Sequence, residues 1–160
     1  VTDRVGDDGR GGGEPGADAG DEIRGDTGGD IGDSDGRQGL ALMLCGDDFD
    51  RLHAGFMLAA AALALDRPVL VFATGPGVLA LCREAPSLVY AEKNAGLAER
   101  GVVSLFVLRD ALVAMDATLL VCESGLRRTG CEASDLIGGV RVAGLPTFLD
   151  LAAGHQIVTF

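Results

Sequence analysis

After residue 38 the chain alternates between short apolar runs and longer stretches whose apolar residues recur three and four positions apart. The runs at 40–45 (LALMLC), 69–73 (VLVFA), 117–121 (ATLLV), 140–142 (VRV) and 156–160 (QIVTF) are aliphatic and partly β-branched, which predicts five strands. Between the first two, Phe49, Leu52, Phe56, Ala59, Ala60 and Leu63 share one helix face. Asp47 and Asp48 stand ready as N-caps, and Asp66-Arg67-Pro68 is the stop. Ala-rich turns at 59–64 make this helix apolar almost all round, which predicts burial by its own sheet and by another subunit.

Thr74-Gly75-Pro76-Gly77 reads as the turn leaving the second strand, and 78–82 as a short helix ended before Pro86. Residues 87–100 are ambiguous, with a brief apolar run at 88–90 and a polar-faced surface helix at 91–100 closed by Gly101. A further helix at 105–115 carries Leu105, Leu108, Leu112 and Met115 on one face. The last helix, 144–153, has Pro146 in its first turn and Gly154 as its cap. Five strand–helix alternations predict an α/β fold with a parallel sheet covered by helices on both faces and joined by right-handed crossovers.

Residues 1–38 differ in kind: twelve Gly, eleven Asp or Glu, four Arg and few large apolar side chains. Such a segment cannot bury enough surface to offset its ordering entropy, so it is expected to be a disordered acidic tail preceding one domain at 39–160. Its Gly/Asp triplets lack the fixed nonapeptide period of a calcium-binding repeat. The chain starts with Val1 rather than Met, so the tail reads as a fragment end or a misassigned start and receives no role.

Composition narrows the function classes. A net charge of −11 argues against nucleic acid and anionic membranes as partners. The longest apolar run, 54–65, is about half of the ~20 residues that a membrane span needs, and the amino end lacks a signal pattern. Cys45, Cys82, Cys122 and Cys131 include no C-x-x-C pair, and His53 and His155 lie far apart, so neither a disulfide scaffold nor a metal site is expected. A reducing cytoplasm is the expected compartment.

The chemistry concentrates in ATLLVCESGLRRTGC, residues 117–131. Cys122 ends a buried strand, Glu123-Ser124-Gly125 supplies turn chemistry with Ser124 as N-cap, and Leu126 to Thr129 form the first helical turn, with Cys131 at the far end. A Cys at this edge of an α/β sheet lies where such sheets bind ligands. The helix N-terminus, Arg127 and Arg128 favour its thiolate, and Glu123 opposes it. The competing reading is a small apolar residue closing a strand. If the first and third strands are neighbours, Cys45 reaches the same rim as a resolving thiol. His53 is a candidate base for Cys122 or a subunit contact, whereas His155 in its turn carries no expected role.

Two other patterns are weaker. Gly75-Pro76-Gly77-Val78-Leu79-Ala80 mimics a dinucleotide G-x-G-x-x-A motif, but a Pro divides the glycines and no acidic residue ends the next strand, so a tight turn is the better reading and no cofactor is expected. A peroxidatic role for Cys122 needs a hydroxyl and an Arg in a T-x-x-C-type arrangement, and Thr118, four residues before Cys122, does not stand at that spacing.

The strand-1 segment with GDDFDRLHAGFMLAAAALALDRPVLVFAT, the VCESGLRRTGC segment and the closing GGVRVAGLPTFLDLA and IVTF together resemble the DsrE/DsrF-like family of small sulfur-metabolism proteins. The resemblance spans 39–160 and implies a flavodoxin-like three-layer α/β/α sandwich with a mainly parallel five-stranded sheet, assembling as a homotrimer or hexamer. It also implies passage of sulfane sulfur as a cysteine persulfide to a sulfur-carrier protein. Cys122 matches a family Cys in a pattern like C-x-x-[SG]-x-x-x-x-G, with Gly125 and Gly130 at the small positions. The relay subunits carry their Cys in a different loop, to which Cys82 is the nearest but poor match. His53, one turn after Asp50, also stands where similar sequences carry His. The expected function is therefore thiol or sulfane-sulfur handling through Cys122, Cys45 and His53, with Arg127, Arg128, Ser124 and Gly125 stabilising the thiolate. The alternative is a non-catalytic oligomeric module binding a small anion or a protein partner.

Overall fold

A computed structural model of the chain describes residues 37–84 and 88–160. The expected acidic tail, except Arg37 and Gln38, and the expected stop at Pro86 lie outside the described residues. The five apolar runs form strands β1 (Gly39–Leu44), β2 (Val69–Ala73), β3 (Thr118–Cys122), β4 (Val140–Ala143) and β5 (His155–Thr159). They make one sheet in the order β4-β3-β2-β1-β5, and every neighbouring pair is parallel. Parallel pairing requires each strand to return over a sheet face, which is what the intervening helices provide.

Those helices are α1 (Phe49–Ala64), α2 (Leu88–Glu99), α3 (Leu105–Ala114), α4 (Glu123–Thr129) and α5 (Leu145–Leu151), with a 3-10 segment at Gly75–Leu81 and a 3-10 turn at Ala133–Asp135. Asp48 caps α1 by accepting from the Arg51 N–H at 2.9 Å, and Ser104 caps α3 through the Val107 N–H at 3.3 Å. The ambiguous stretch resolves as one helix, α2, that begins at Leu88 instead of 91. Its polar second half set the expected start, and its first three residues are too few for their apolar run to distinguish strand from helix.

Alternation along the strands sends residues to two unequal layers. Leu40, Leu42, Leu44, Val69, Val71, Ala73, Leu119 and Val121 face the larger core, beneath α1, α3, α4 and the 3-10 segment. Ala41, Leu70, Phe72 and Leu120 face the other side, where, among the described residues, Phe148 of α5 and its C-cap Ala152 complete the buried cluster. Phe148 stacks on Phe72 with ring centroids 4.8 Å apart. The sandwich thus has the expected three layers, but among the described residues its second helical layer is a single two-turn helix. Leu149 is 55% exposed and Ile157 46%. The outer side of α1 is also open within the chain, with Met57 51% exposed, so its own sheet buries only one face of this helix.

Gly77 positions the 3-10 segment. A Cβ there would strike the Leu44 carbonyl, whose carbon would lie at 2.7 Å, so only glycine lets this segment press against the end of β1. The dinucleotide-like glycines therefore serve close backbone packing. Among the described residues, no helix is long and apolar enough to cross a membrane.

Candidate functional site

The carboxyl ends of β1, β2 and β3 lie along one edge of the sheet. Extending the register in which Leu44 pairs with Ala73 and Ala73 with Val121 aligns Cys45, Thr74 and Cys122 as successive positions across that edge. Thr74 therefore lies between the two cysteines. The condition set for Cys45 as a resolving thiol, neighbouring first and third strands, is not met because β2 is inserted between them. Two strand spacings put the Cys45 and Cys122 backbones about 9.6 Å apart, beyond the Cα separation of about 7 Å that a disulfide tolerates. Cys45 instead lines a groove of about 400 Å³ between the start of α1 and the end of β5, with Arg51 and Phe160.

Cys122 is itself the N-cap of α4, which starts at Glu123, and Ser124 is the second helical residue. The helix thus begins three residues before its expected first turn, and Ser124 is not its cap. Gly130, in the left-handed region at φ 72°, ends it. The cause is Gly125, where a Cβ would come within 2.7 Å of Val78 Cγ2 and 3.0 Å of the Gly75 nitrogen. Its missing side chain lets the first turn of α4 settle directly on the 3-10 segment.

The Cys122 Sγ packs at the edge of the smaller core, half-buried, with Ser124 Oγ at 3.0 Å. Burial acts to raise its pKa and is the largest single influence. The Ser124 hydroxyl, the Gly125 amide, the Thr74 hydroxyl and the Ser124 amide together outweigh it, and the thiol sits below its ordinary value. No cap bond to Sγ is closed, so the amides act as donors awaiting negative charge, in the manner of thiols at helix N-termini.

The lowering comes chiefly from these uncharged donors. Arg127, with its side chain 79% exposed, pairs with Glu123 at 2.6 Å, and neither it nor Arg128 is among the groups that lower the thiol. Both come at least five residues after Cys122, in the last turn of α4 rather than the first. The same ion pair occupies the Glu123 carboxylate, and Glu123 is not among the groups acting on the thiol.

His53 is not placed to deprotonate Cys122. Its Nε2 lies 2.8 Å from the Val103 carbonyl and its ring stacks on Phe49, both on the α1 side of the sheet, whereas Cys122 packs on the α5 side. His155 opens β5 at the opposite, amino end of the strands. Among the described residues, no three His, Cys, Asp or Glu side chains converge as a metal site requires.

Two features of the geometry go beyond the sequence reading. The Thr74 hydroxyl, at the neighbouring strand end, is among the groups that lower the Cys122 thiol, which only the strand order reveals. Cys82 and Cys131 lie with their sulfurs 3.5 Å apart, although 49 positions separate them.

A family model described as the DsrE/DsrF-like family matches residues 40–160. No curated protein matches the chain. Among solved structures, the ychN protein from E. coli is similar with a TM-score of 0.54 and 14% identity, covering 76% of this chain and 99% of its own. MTH1491 from Methanobacterium thermoautotrophicum, a protein of unknown function, is similar with a TM-score of 0.51 and 20% identity, covering 78% of this chain and 100% of its own. At these identities the likeness extends to the fold.

Proposed function

Because the chain belongs to the DsrE/DsrF-like family, we propose that it handles sulfane sulfur through Cys122. The observation that carries this reading is the lowered Cys122 thiol at the carboxyl edge of the sheet, surrounded by two hydroxyls and two helix amides. Sulfur transfer needs a thiolate that a partner's sulfur can approach, and no full acid–base pair. The Cys122 thiolate attacks the outer sulfur of a donor persulfide, the donor's S–S bond breaks, and the donor leaves as a thiolate. The Cys122 persulfide then presents its outer sulfur to an acceptor thiolate on a carrier protein, and Cys122 returns to its starting state.

Ser124 and Thr74 take the stabilising role in this reading, with Gly125 contributing its amide. Cys45 and His53 are not required. A reducing cytoplasm, which keeps all four thiols free, suits such a carrier. A homotrimer or hexamer would cover the exposed Leu149 and Ile157 beside the thin α5 layer and the outer face of α1.

Incubation with a small persulfide donor followed by peptide mass spectrometry tests the proposal. One added sulfur on Cys122, absent in Cys122→Ser, is the expected result. A Cys122 that stays unmodified while the protein assembles normally overturns it and favours the second reading, a non-catalytic module that binds a protein partner through those exposed apolar residues.

A further inference from the structure

We propose that Cys82 and Cys131 form a dithiol–disulfide site, a second thiol centre independent of Cys122 that closes on reaction with a low-molecular-weight disulfide. Cys82 follows the 3-10 segment and is buried, with its Sγ 3.6 Å from the Val78 carbonyl oxygen and 3.5 Å from the Cys131 Sγ. Cys131 lies just past the glycine that ends α4, half-buried against the larger core, with its N–H donating to the Leu126 carbonyl at 3.1 Å. The two thiols already touch, and a bond between them requires the sulfurs to close by about 1.5 Å.

The backbone around the pair is fixed without help from the sulfurs. Cys82 forms an antiparallel bridge with Leu136, and the Arg83 N–H donates to the Asp135 carbonyl at 2.7 Å. The Ile137 N–H donates to the Leu81 carbonyl at 3.0 Å, while the Arg109 guanidinium reaches the Cys82 carbonyl at 2.9 Å. Neither segment can drift from the other while these bonds hold, so the sulfurs stay in register.

Exposure assigns the order of events. Cys131 is the thiol that solvent reaches, and Cys82 is sealed beneath it. Burial, then the hydrogen bond and charge of Cys131, push Cys82 up to about 12 and keep it protonated in the resting dithiol, with Asp135 adding to the effect and Arg109 opposing it. The Cys131 thiolate attacks one sulfur of a disulfide of the glutathione type, releasing one small thiolate and leaving a mixed disulfide on Cys131. Cys82 then attacks Cys131 Sγ, its proton passes to the departing second thiolate, and the intramolecular bond stands. Two protein thiols are oxidised and the small disulfide is reduced to two thiols.

The location gives the bond a consequence. Thr74 caps the 3-10 segment that Cys82 ends, and Cys122 caps the helix that Cys131 follows. The tails of two segments whose heads meet at the Cys122 thiol are thereby stapled together.

The test exposes the reduced full-length chain to graded mixtures of oxidised and reduced glutathione, followed by acid quenching, alkylation and peptide mapping. The expected result is one linked peptide pair holding Cys82 and Cys131, about 2 Da lighter than the sum of its reduced parts, formed equally in Cys122→Ser. In Cys82→Ala the reaction stops at a glutathione adduct on Cys131, and in Cys131→Ala Cys82 remains fully alkylated after denaturation. A wild-type protein in which Cys131 accumulates the adduct while Cys82 stays free overturns the proposal. So does one in which both stay free at a poise that modifies Cys122. The wild-type map decides the matter even if a variant fails to fold.

Discussion

Removing the Ser124 hydroxyl tests what holds the Cys122 thiolate. The Ser124 Oγ lies 3.0 Å from Sγ. A hydrogen bond to a charged group contributes about 1.5–3 kcal/mol, and the half-exposed position reduces this to about 1 kcal/mol through solvent screening. Ser124→Ala should therefore slow Cys122 alkylation by iodoacetamide about five-fold at a pH below the thiol's midpoint. Its pH–rate profile should move to higher pH, and Ser124→Thr should restore most of the loss. The assay is peptide-resolved alkylation across pH 5–10 on the folded protein, with Cys45 as internal reference. Arg127→Ala is the informative control: its guanidinium is held by Glu123, so the rate should change by less than about two-fold. If Arg127→Ala slows the reaction more than Ser124→Ala does, the guanidinium holds the thiolate and the attribution to hydroxyls and amides is wrong.

Three other outcomes follow from the packing and the titrating groups. Phe148→Ala should cost about 3–5 kcal/mol in urea unfolding, because Phe148 is fully buried and contributes most of the α5 layer; a loss below about 1 kcal/mol would show that this layer is not needed for stability. Gly77→Ala should destabilise by about 1–3 kcal/mol, since backbone at Leu44 has to move to admit a Cβ, and unchanged unfolding would contradict that contact. Stability should also fall on the alkaline side. Cys82 is raised from 9.0 to about 12 and Tyr90 is raised as well, chiefly by burial. A raised folded-state pKa contributes stability fully present below the unfolded value and lost as pH climbs from about 9 through 12. Cys82→Ala should flatten that decline in part, as followed by denaturant titration at pH 8, 10 and 11.

The elements were legible where the pattern is local. LALMLC, VLVFA and ATLLV predicted β1, β2 and β3 to within a residue or so, because a fully buried parallel strand reads as a continuous apolar run. The three-and-four spacing from Phe49 fixed α1 equally well. Strand order was not legible from runs alone, and the mistaken pairing of Cys45 with Cys122 came from that gap. The placement of His53 failed for the same reason: its sequence position does not say which side of the sheet its helix covers. The arginines misled because they are the only formal positive charges near Cys122 in sequence, whereas its donors are uncharged. Thr74 was visible only as a turn residue. The Cys82–Cys131 contact depends on the 3-10 segment and the loop after α4 converging, and no local pattern carries that.

The unequal clothing of the sheet bears on how the protein behaves in bulk solution. Eleven of the chain's 24 acidic residues and four of its 13 basic ones precede Gly39, so 13 acidic and nine basic residues remain and the domain itself carries only −4 of the −11 charge. Colloidal repulsion thus comes largely from the leading segment, while the oily patches around Leu149, Ile157 and Met57 belong to the domain. Acidification toward the isoelectric point near 4.4 removes that repulsion, making mild acid the condition under which a preparation of this protein clouds first.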